Sequence, residues 1–274
     1  MDGVDCNGNG HVISLELSSS CLYGSINSSS SHFHVVHLRR FDLSYNHFSF
    51  SQIPSTMDNL FVLTHLNLLY SFFVGQIPSE ISPLKKLSIL NLSYNHLFSP
   101  VPNLLAILWF NELNKITYLC HCKNNLKERS HPLLPISPNS TFFLGLSSND
   151  ITGHIPIWVM NLTKLNHLDF SLNMLQGSIP ISISQPFAFL DISSNRLQGS
   201  LPVLSSPIYF YSISKNKLTG KISPMICNMI FLEIPNLLEN SLSGKIPKCL
   251  GNLSDSLMIL NLRRNNLYGT ILDT

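Results

Sequence analysis

Apolar and polar positions alternate in short bursts along this chain, and the bursts repeat. LNLSYNHL (Leu90 to Leu97), LDFSLNML (Leu168 to Leu175) and LDISSNRL (Leu190 to Leu197) follow one pattern, apolar-x-apolar-x-x-Asn-x-Leu, and a Gly-x-Ile-Pro or a variant of it comes after. Alternation over so few residues predicts a short strand whose alternate side chains share a face. Leu90 and Leu92 are the inward pair in one turn, Leu168 and Phe170 in another, Leu190 and Ile192 in a third. Aligned on the Asn, the copies fall at Asn46, Asn95, Asn149, Asn173, Asn195, Asn216, Asn240 and Asn265. Ser20 and Ser71 hold the same place in two more turns, and Asn124 is a poorer candidate in another. The intervals run from 21 to 29 residues, giving about eleven turns. An inward Asn donates and accepts at once, so a column of Asn satisfies the buried backbone groups of the bend that follows each strand. One turn cannot cover its own apolar face, so the turns must stack, pairing their strands into a parallel sheet.

This period places the chain in the fold class of leucine-rich-repeat solenoids, α/β horseshoe-like superhelices. Short parallel strands are expected on the concave face, with loops and short 3-10 turns on the convex face. The segments LQGSIP and LSGKIP resemble the plant-specific class of this repeat. DGVDCNGNGHVISLELSSSCLYGSI and FDLSYNHFSFSQIP resemble the start of plant receptor-like proteins of the Cf type, and SLMILNLRRNNLYGTI with MICN and PKCL resembles their later repeats. The resemblance implies an extracellular, N-glycosylated ectodomain that recognises a protein or peptide ligand without catalysis. It further implies a receptor-kinase co-receptor, a plasma-membrane tether and a role in defence or developmental signalling. Two alternatives are a secreted protein similar to polygalacturonase inhibitors and a non-functional product of a truncated gene.

Against that family pattern, residues 1–11 read as a remnant of an N-terminal cap, 12–102 as about four repeats, 103–138 as a degenerate repeat or irregular loop, and 139–274 as about six repeats without a C-terminal cap. The opening residues MDGVDCNGNG read as neither the basic nor the apolar part of a signal peptide, and the expected reading of the last residues is a repeat cut short, with Leu272 where Pro is expected. Around Lys123, Lys127 and Arg129 a basic loop is expected, and Pro235, on an inward strand position, should distort its turn because it has no N–H to donate.

Bulk composition narrows the rest. Charged residues make up 12% of 274 residues and the formal net charge is +2, which gives no basic field for nucleic acid. No uninterrupted apolar run of about 18 residues is present, so no membrane span is expected in this chain. Kinase signatures, a G-x-S-x-G elbow and a phosphate-binding loop are all missing, and the expectation is a protein that is not an enzyme and uses no cofactor. The clusters His32, His34, His37 and Cys120-His121-Cys122 lack zinc-ligand spacing and read as loop decoration.

The candidate recognition residues flank the Asn column. Tyr45, Tyr70 and Tyr94 precede it in successive turns, and His47, Phe72 and His96 follow it. Farther along, the same columns carry Arg196, Lys215, Lys217 and Arg264, with Glu239 among them. Aromatic side chains of this kind supply contact area in interfaces at low entropic cost. Five glycosylation sequons begin at Asn27, Asn91, Asn139, Asn161 and Asn252. Asn91 shares the outward face with Tyr94, so a glycan there would crowd it. Cys227 and Cys249 hold nearly equivalent places in adjacent turns and are candidates for a disulfide, whereas Cys6 has no evident partner.

Overall fold

The structure is a computed structural model, and it describes residues 3–30, 35–81, 83–98, 116–126, 129–130, 141–157, 159, 162–180, 187–202, 208–253 and 257–270. Most of the 103–138 segment, His32, His34, Asn139, Asn161 and Leu272 therefore lie outside the described residues.

Eleven short strands form the principal sheet, in chain order from Val4–Cys6 and Val12–Glu16 to Phe210–Ser212 and Ile234–Asn236. The first pair is antiparallel; all later neighbours are parallel and in register, as in Phe143↔His167, Leu144↔Leu168 and Gly145↔Asp169. The middle residue of each three-residue strand from Arg40–Asp42 to Ile234–Asn236 is buried, including Phe41, Leu66, Leu90, Leu119, Leu144, Leu168, Leu190 and Tyr211. The next inward position continues the core with Leu43, Leu68, Leu92, Leu146, Phe170, Ile192 and Ile213. These form one continuous cluster from Leu15 to Leu250, so each turn covers the apolar face of its neighbours.

A second parallel sheet, not anticipated from the repeat pattern, is built by the residues around each Gly. Its seven strands run from Arg129–Ser130 and Thr152–His154 through Met174–Ser178, Arg196–Ser200, Lys217–Lys221 and Ser241–Lys245 to Asn266–Tyr268. Val74–Gln76 and His96–Phe98 form a separate pair of the same kind. Gly177 shows why no side chain is tolerated there: its φ is +78° and an added Cβ would lie 2.1 Å from the His154 ring. Short 3-10 helices at Ser55–Asn59, Ser79–Ile81, Pro224–Asn228 and Lys248–Leu253 return the chain after the Ile-Pro or its equivalent.

The bend between the two sheets is held by asparagine. Asn95 Nδ2 donates to the carbonyls of Leu68, Leu92 and Ser93, while its Oδ1 accepts from the amides of Ser71 and Phe73. Asn46, Asn149, Asn173, Asn195, Asn216, Asn240 and Asn265 bond in the same manner. Asn124, the poorer candidate in the sequence, occupies the column fully, accepting from Leu97 N and donating to Leu92 O. Ser71 donates to Leu43 O but leaves no acceptor for Phe48 N, which turns to the Ser71 backbone carbonyl at 3.2 Å.

Candidate recognition surface

Because the middle residue of each three-residue strand from Arg40–Asp42 onward points into the core, the first and third must stand on the open face of the principal sheet. The first residues of five successive strands are Tyr118, Phe143, His167, Phe189 and Phe210. Their rings stack face to face with centroid separations of 4.3, 4.1, 3.9 and 4.4 Å, an uninterrupted column across five turns. Burial between Phe143 and Phe189 lowers the pKa of His167, with Asp169 acting against it. The sequence reading missed this column. Its signal is plain in retrospect: an aromatic or His precedes the first inward residue in each of these turns, at the same period as the Asn.

The third residues form a polar row beside the rings, with Asp42, Asn67, Asn91, Asp169 and Asp191 among them. Asp42 accepts from Ser44 Oγ at 2.6 Å and Asp169 from Ser171 Oγ at 2.7 Å, so the carboxylate and the serine two residues on are held together in several turns. Burial raises the pKa of Asp191, opposed by its bond from Ser193. At the N-terminal end of the face a cavity of about 290 Å³ is lined by Glu16, Arg40, Asp42, His65, Asn91 and Tyr118. Arg40 and Glu16 form an ion pair at 2.7 Å across its rim. Asn91 is half-buried, its Oδ1 accepts from Ser93 N, and it belongs to this strand face. Tyr94, expected on the same outward face, follows this strand in the bend, with φ 57°.

Tyr45, Tyr70 and Tyr94 all stand in that bend with φ near +50° (55°, 49° and 57°), in the left-handed region that the repeat demands of the residue before each Asn. Their rings are 43–55% exposed and follow one another at 5.9 and 6.0 Å. His47 stacks on Phe72 at 4.3 Å and on Tyr23 at 5.0 Å, and Phe50 packs edge-on to Phe72 and tilted against His96. The two aromatic columns thus form a single contiguous patch, which Tyr23 and Phe50 extend. Lys123 closes it, its ammonium 4.4 Å from the Tyr94 ring centre. Of the basic loop expected here, Lys123 stands in the bend with φ 50° and Arg129 begins a strand of the second sheet; Lys127 lies outside the described residues.

The basic residues do not gather. Arg196 and Lys217 begin strands of the second sheet, Lys215 is an exposed bend residue with φ 52°, and Arg264 is paired with Glu239. Asn27 is exposed, and its Oδ1 accepts from both the amide and the hydroxyl of Ser29, within its own sequon. Asn252 falls in the 3-10 helix Lys248–Leu253. Cys227 and Cys249 are joined in a disulfide with Cα atoms 5.8 Å apart. Pro235 keeps register with Tyr211 in the preceding turn, and the following turn is reduced to a single bridge, Asn236↔Asn261.

Cys120-His121-Cys122 divides between two directions. His121 is fully buried with neither ring nitrogen bonded, and desolvation pushes its pKa down to about 4. The two sulfurs stand on the opposite side, 2.9 Å apart. The hydrogen bond with Cys122 lowers the Cys120 pKa to about 7, against the effect of burial, and the same bond raises that of Cys122. Among the described residues no group of three or more His, Cys, Asp or Glu is arranged to hold a metal ion, and no helix is long and apolar enough to cross a membrane.

A stacked, parallel, asparagine-laddered coil with this repeat is matched by the family described as Leucine Rich Repeat, over residues 37–60. The chain has the leucine-rich-repeat fold. Its curated relatives are plant receptor-like proteins of Arabidopsis thaliana. Receptor-like protein 32 is 34% identical over 127 residues, covering 46% of this chain and 13% of that protein. Receptor-like protein 39 is 34% identical over 206 residues, covering 66% of this chain and 23% of that protein. The chain thus spans only a small part of the relatives it matches. Among solved structures, PEPR1-AtPEP1 superposes with a TM-score of 0.78 at 28% identity, over 97% of this chain and 40% of that one.

Proposed function

We propose that this leucine-rich-repeat chain is part of a ligand-binding ectodomain of a plant receptor-like protein, and that it recognises a protein or peptide through the open face of its principal sheet without catalysis. The observation that carries this reading is the five-ring column from Tyr118 to Phe210, beside the polar row of Asp169 and Asp191. An extended chain laid across the strands would stack apolar or planar side chains on the rings and pair donors with the carboxylates. Stacking and desolvated pairing of this kind concentrate binding energy in a few residues. The aromatic patch of Tyr45, His47, Tyr70, Phe72, Tyr94 and His96 offers a second contact strip along the bend. Placement on the extracellular side, a membrane tether and a receptor-kinase partner belong to the same proposal, as does a role in defence or development. They are supported by the receptor-like relatives and by the disulfide between Cys227 and Cys249.

The test is a screen of the recombinant chain against a library of synthetic plant secreted peptides, with hits measured by calorimetry. Phe143→Ala with Phe189→Ala should weaken a true ligand at least tenfold, about 1.4 kcal/mol, while leaving circular dichroism unchanged. Tyr70→Ala with Tyr94→Ala probes the bend patch separately. A ligand bound equally well by both double variants would remove the proposed surfaces.

A further inference from the structure

We infer that Cys120 and Cys122 are a modification site: the two thiols close into an intramolecular disulfide on the open face of the principal sheet, beside the first ring of the aromatic column. In this fold the third residue of a strand and the residue two places on are brought together whatever their chemistry. Asp42 and Ser44 meet at 2.6 Å and Asp169 and Ser171 at 2.7 Å, each as a carboxylate and a hydroxyl. In the strand Tyr118–Cys120 those two places are taken by Cys120 and Cys122, and their sulfurs meet at 2.9 Å. The same constraint that makes a hydrogen bond from Asp and Ser leaves two thiols within easy closure of a bond of about 2.04 Å.

The neighbouring turns make room for the pair. Gly145 lies across from Cys120 in register, and a Cβ there would sit 3.0 Å from both sulfurs. On the other side Ser93 Oγ donates to Cys120 Sγ at 2.9 Å and accepts from Cys122 N at 3.0 Å, so Cys120 is held in place from the preceding turn. The pocket these groups form is closed to anything larger than the sulfurs, since Cys120 is 7% and Cys122 9% exposed. His121 is buried in the core and does not join them.

The oxidant is a low-molecular-weight disulfide such as oxidised glutathione, met before the turn is fully packed. The Cys120 thiolate attacks one sulfur of glutathione disulfide and expels a glutathione thiolate, giving a mixed disulfide. The Cys122 thiolate then attacks the Cys120 sulfur and expels the second glutathione thiolate. The protein loses two hydrogens and two electrons, and one glutathione disulfide becomes two glutathione thiols. The Cys227–Cys249 disulfide in the same chain requires an oxidising environment of this kind. Closure would also alter the surroundings of Tyr118, which begins the same strand and carries the first ring of the column.

The experiment uses the full chain refolded in a glutathione redox buffer until the Cys227–Cys249 link has formed. Free thiols are then blocked with N-ethylmaleimide in denaturant without reductant, and tryptic peptides are weighed. Cleavage after Lys115 and Lys123 isolates both sulfurs in the peptide ITYLCHCK. The expected result is that peptide two hydrogens lighter than its reduced form and free of label, with Cys6 and Cys21 labelled. In a Cys122→Ser variant, Cys120 should take up one label, or one glutathione. Two labels on the peptide while Cys227–Cys249 stays linked would overturn the proposal. So would a link from Cys120 or Cys122 to Cys6 or Cys21.

Discussion

At the scale of single residues, the fold rests on side chains that serve the backbone. Each Asn of the column bonds carbonyls of its own turn and of the turn before, so removing one strands several buried groups at once, at about 1–3 kcal/mol for each group left unpaired. Ser71 is the place where this device is weakest, because Phe48 N must settle for a 3.2 Å bond to a backbone carbonyl. Ser71→Asn should therefore stabilise the chain by about 0.5–1.5 kcal/mol, the net worth of one such bond. Thermal melting checks it, and a lower midpoint would contradict the ladder account. His121 is the opposite case, a polar residue standing where other turns have Leu92 and Leu146. Its pKa falls from 6.5 to about 4 on folding, so the unfolded chain binds the extra proton. Stability is then complete above about pH 6.5 and is lost as the pH falls toward 4, by about 3 kcal/mol in all. His121→Leu should raise stability and flatten this slope in denaturant melts taken at pH 7, 5.5 and 4.5. A slope unchanged by the substitution would assign it to other groups.

At the scale of elements, the strands and the Asn column were legible because period and residue type coincide: Leu-x-Leu faces inward, Asn follows at a fixed offset, and the interval repeats. The second sheet was not legible, since Gln-Gly-Ser or Thr-Gly-Lys has little strand propensity by itself and forms a strand only when neighbouring turns pair with it. The five-ring column was hidden differently. Tyr118, Phe143, His167, Phe189 and Phe210 sit one place outside the apolar pair, where attention to the core passes over them, and Tyr118 lies in a segment that otherwise loses the repeat. For that same reason Asn124 reads as the poorer candidate of the column and Lys123 as part of a basic loop. Pro235 shows an element-level effect that residue type does foretell. Ile259 N and Asn261 N donate to the Glu233 and Pro235 carbonyls, so the regular pattern would send a donor from position 235 to the carbonyl of Ile259. Proline has none, and the turn at Asn261 keeps only an isolated bridge. Pro235→Leu should supply that donor and extend the bridge into a strand, worth about 0.5–1.5 kcal/mol. In hydrogen exchange the new amide at 235 should be protected; free exchange at that site would show that the distortion has another origin.

At the scale of the whole molecule, stability in a stacked coil is a sum of neighbour contacts, so a local tie strengthens its own turns and little else. The Cys227–Cys249 disulfide joins the 3-10 helices Pro224–Asn228 and Lys248–Leu253 of adjacent turns, on the far side of the core from the ring column. It closes a segment with a sequence separation of 22, for which loss of denatured-chain entropy predicts about 3 kcal/mol of stabilisation. In a globular domain that sum would appear everywhere. Here it should appear as faster hydrogen exchange confined to the turns from Lys217 to Asn266 when both cysteines are replaced by Ala. The turns from Arg40 to Phe98, with their aromatic patch, should keep their protection. Uniformly faster exchange from end to end would mean that the chain unfolds as one cooperative unit. In that case a ligand bound at the ring column would stabilise the Tyr45 and Tyr70 turns as much as its own. Confinement would instead leave the open face and the bend patch as separable surfaces, each able to bind while the other end of the coil frays.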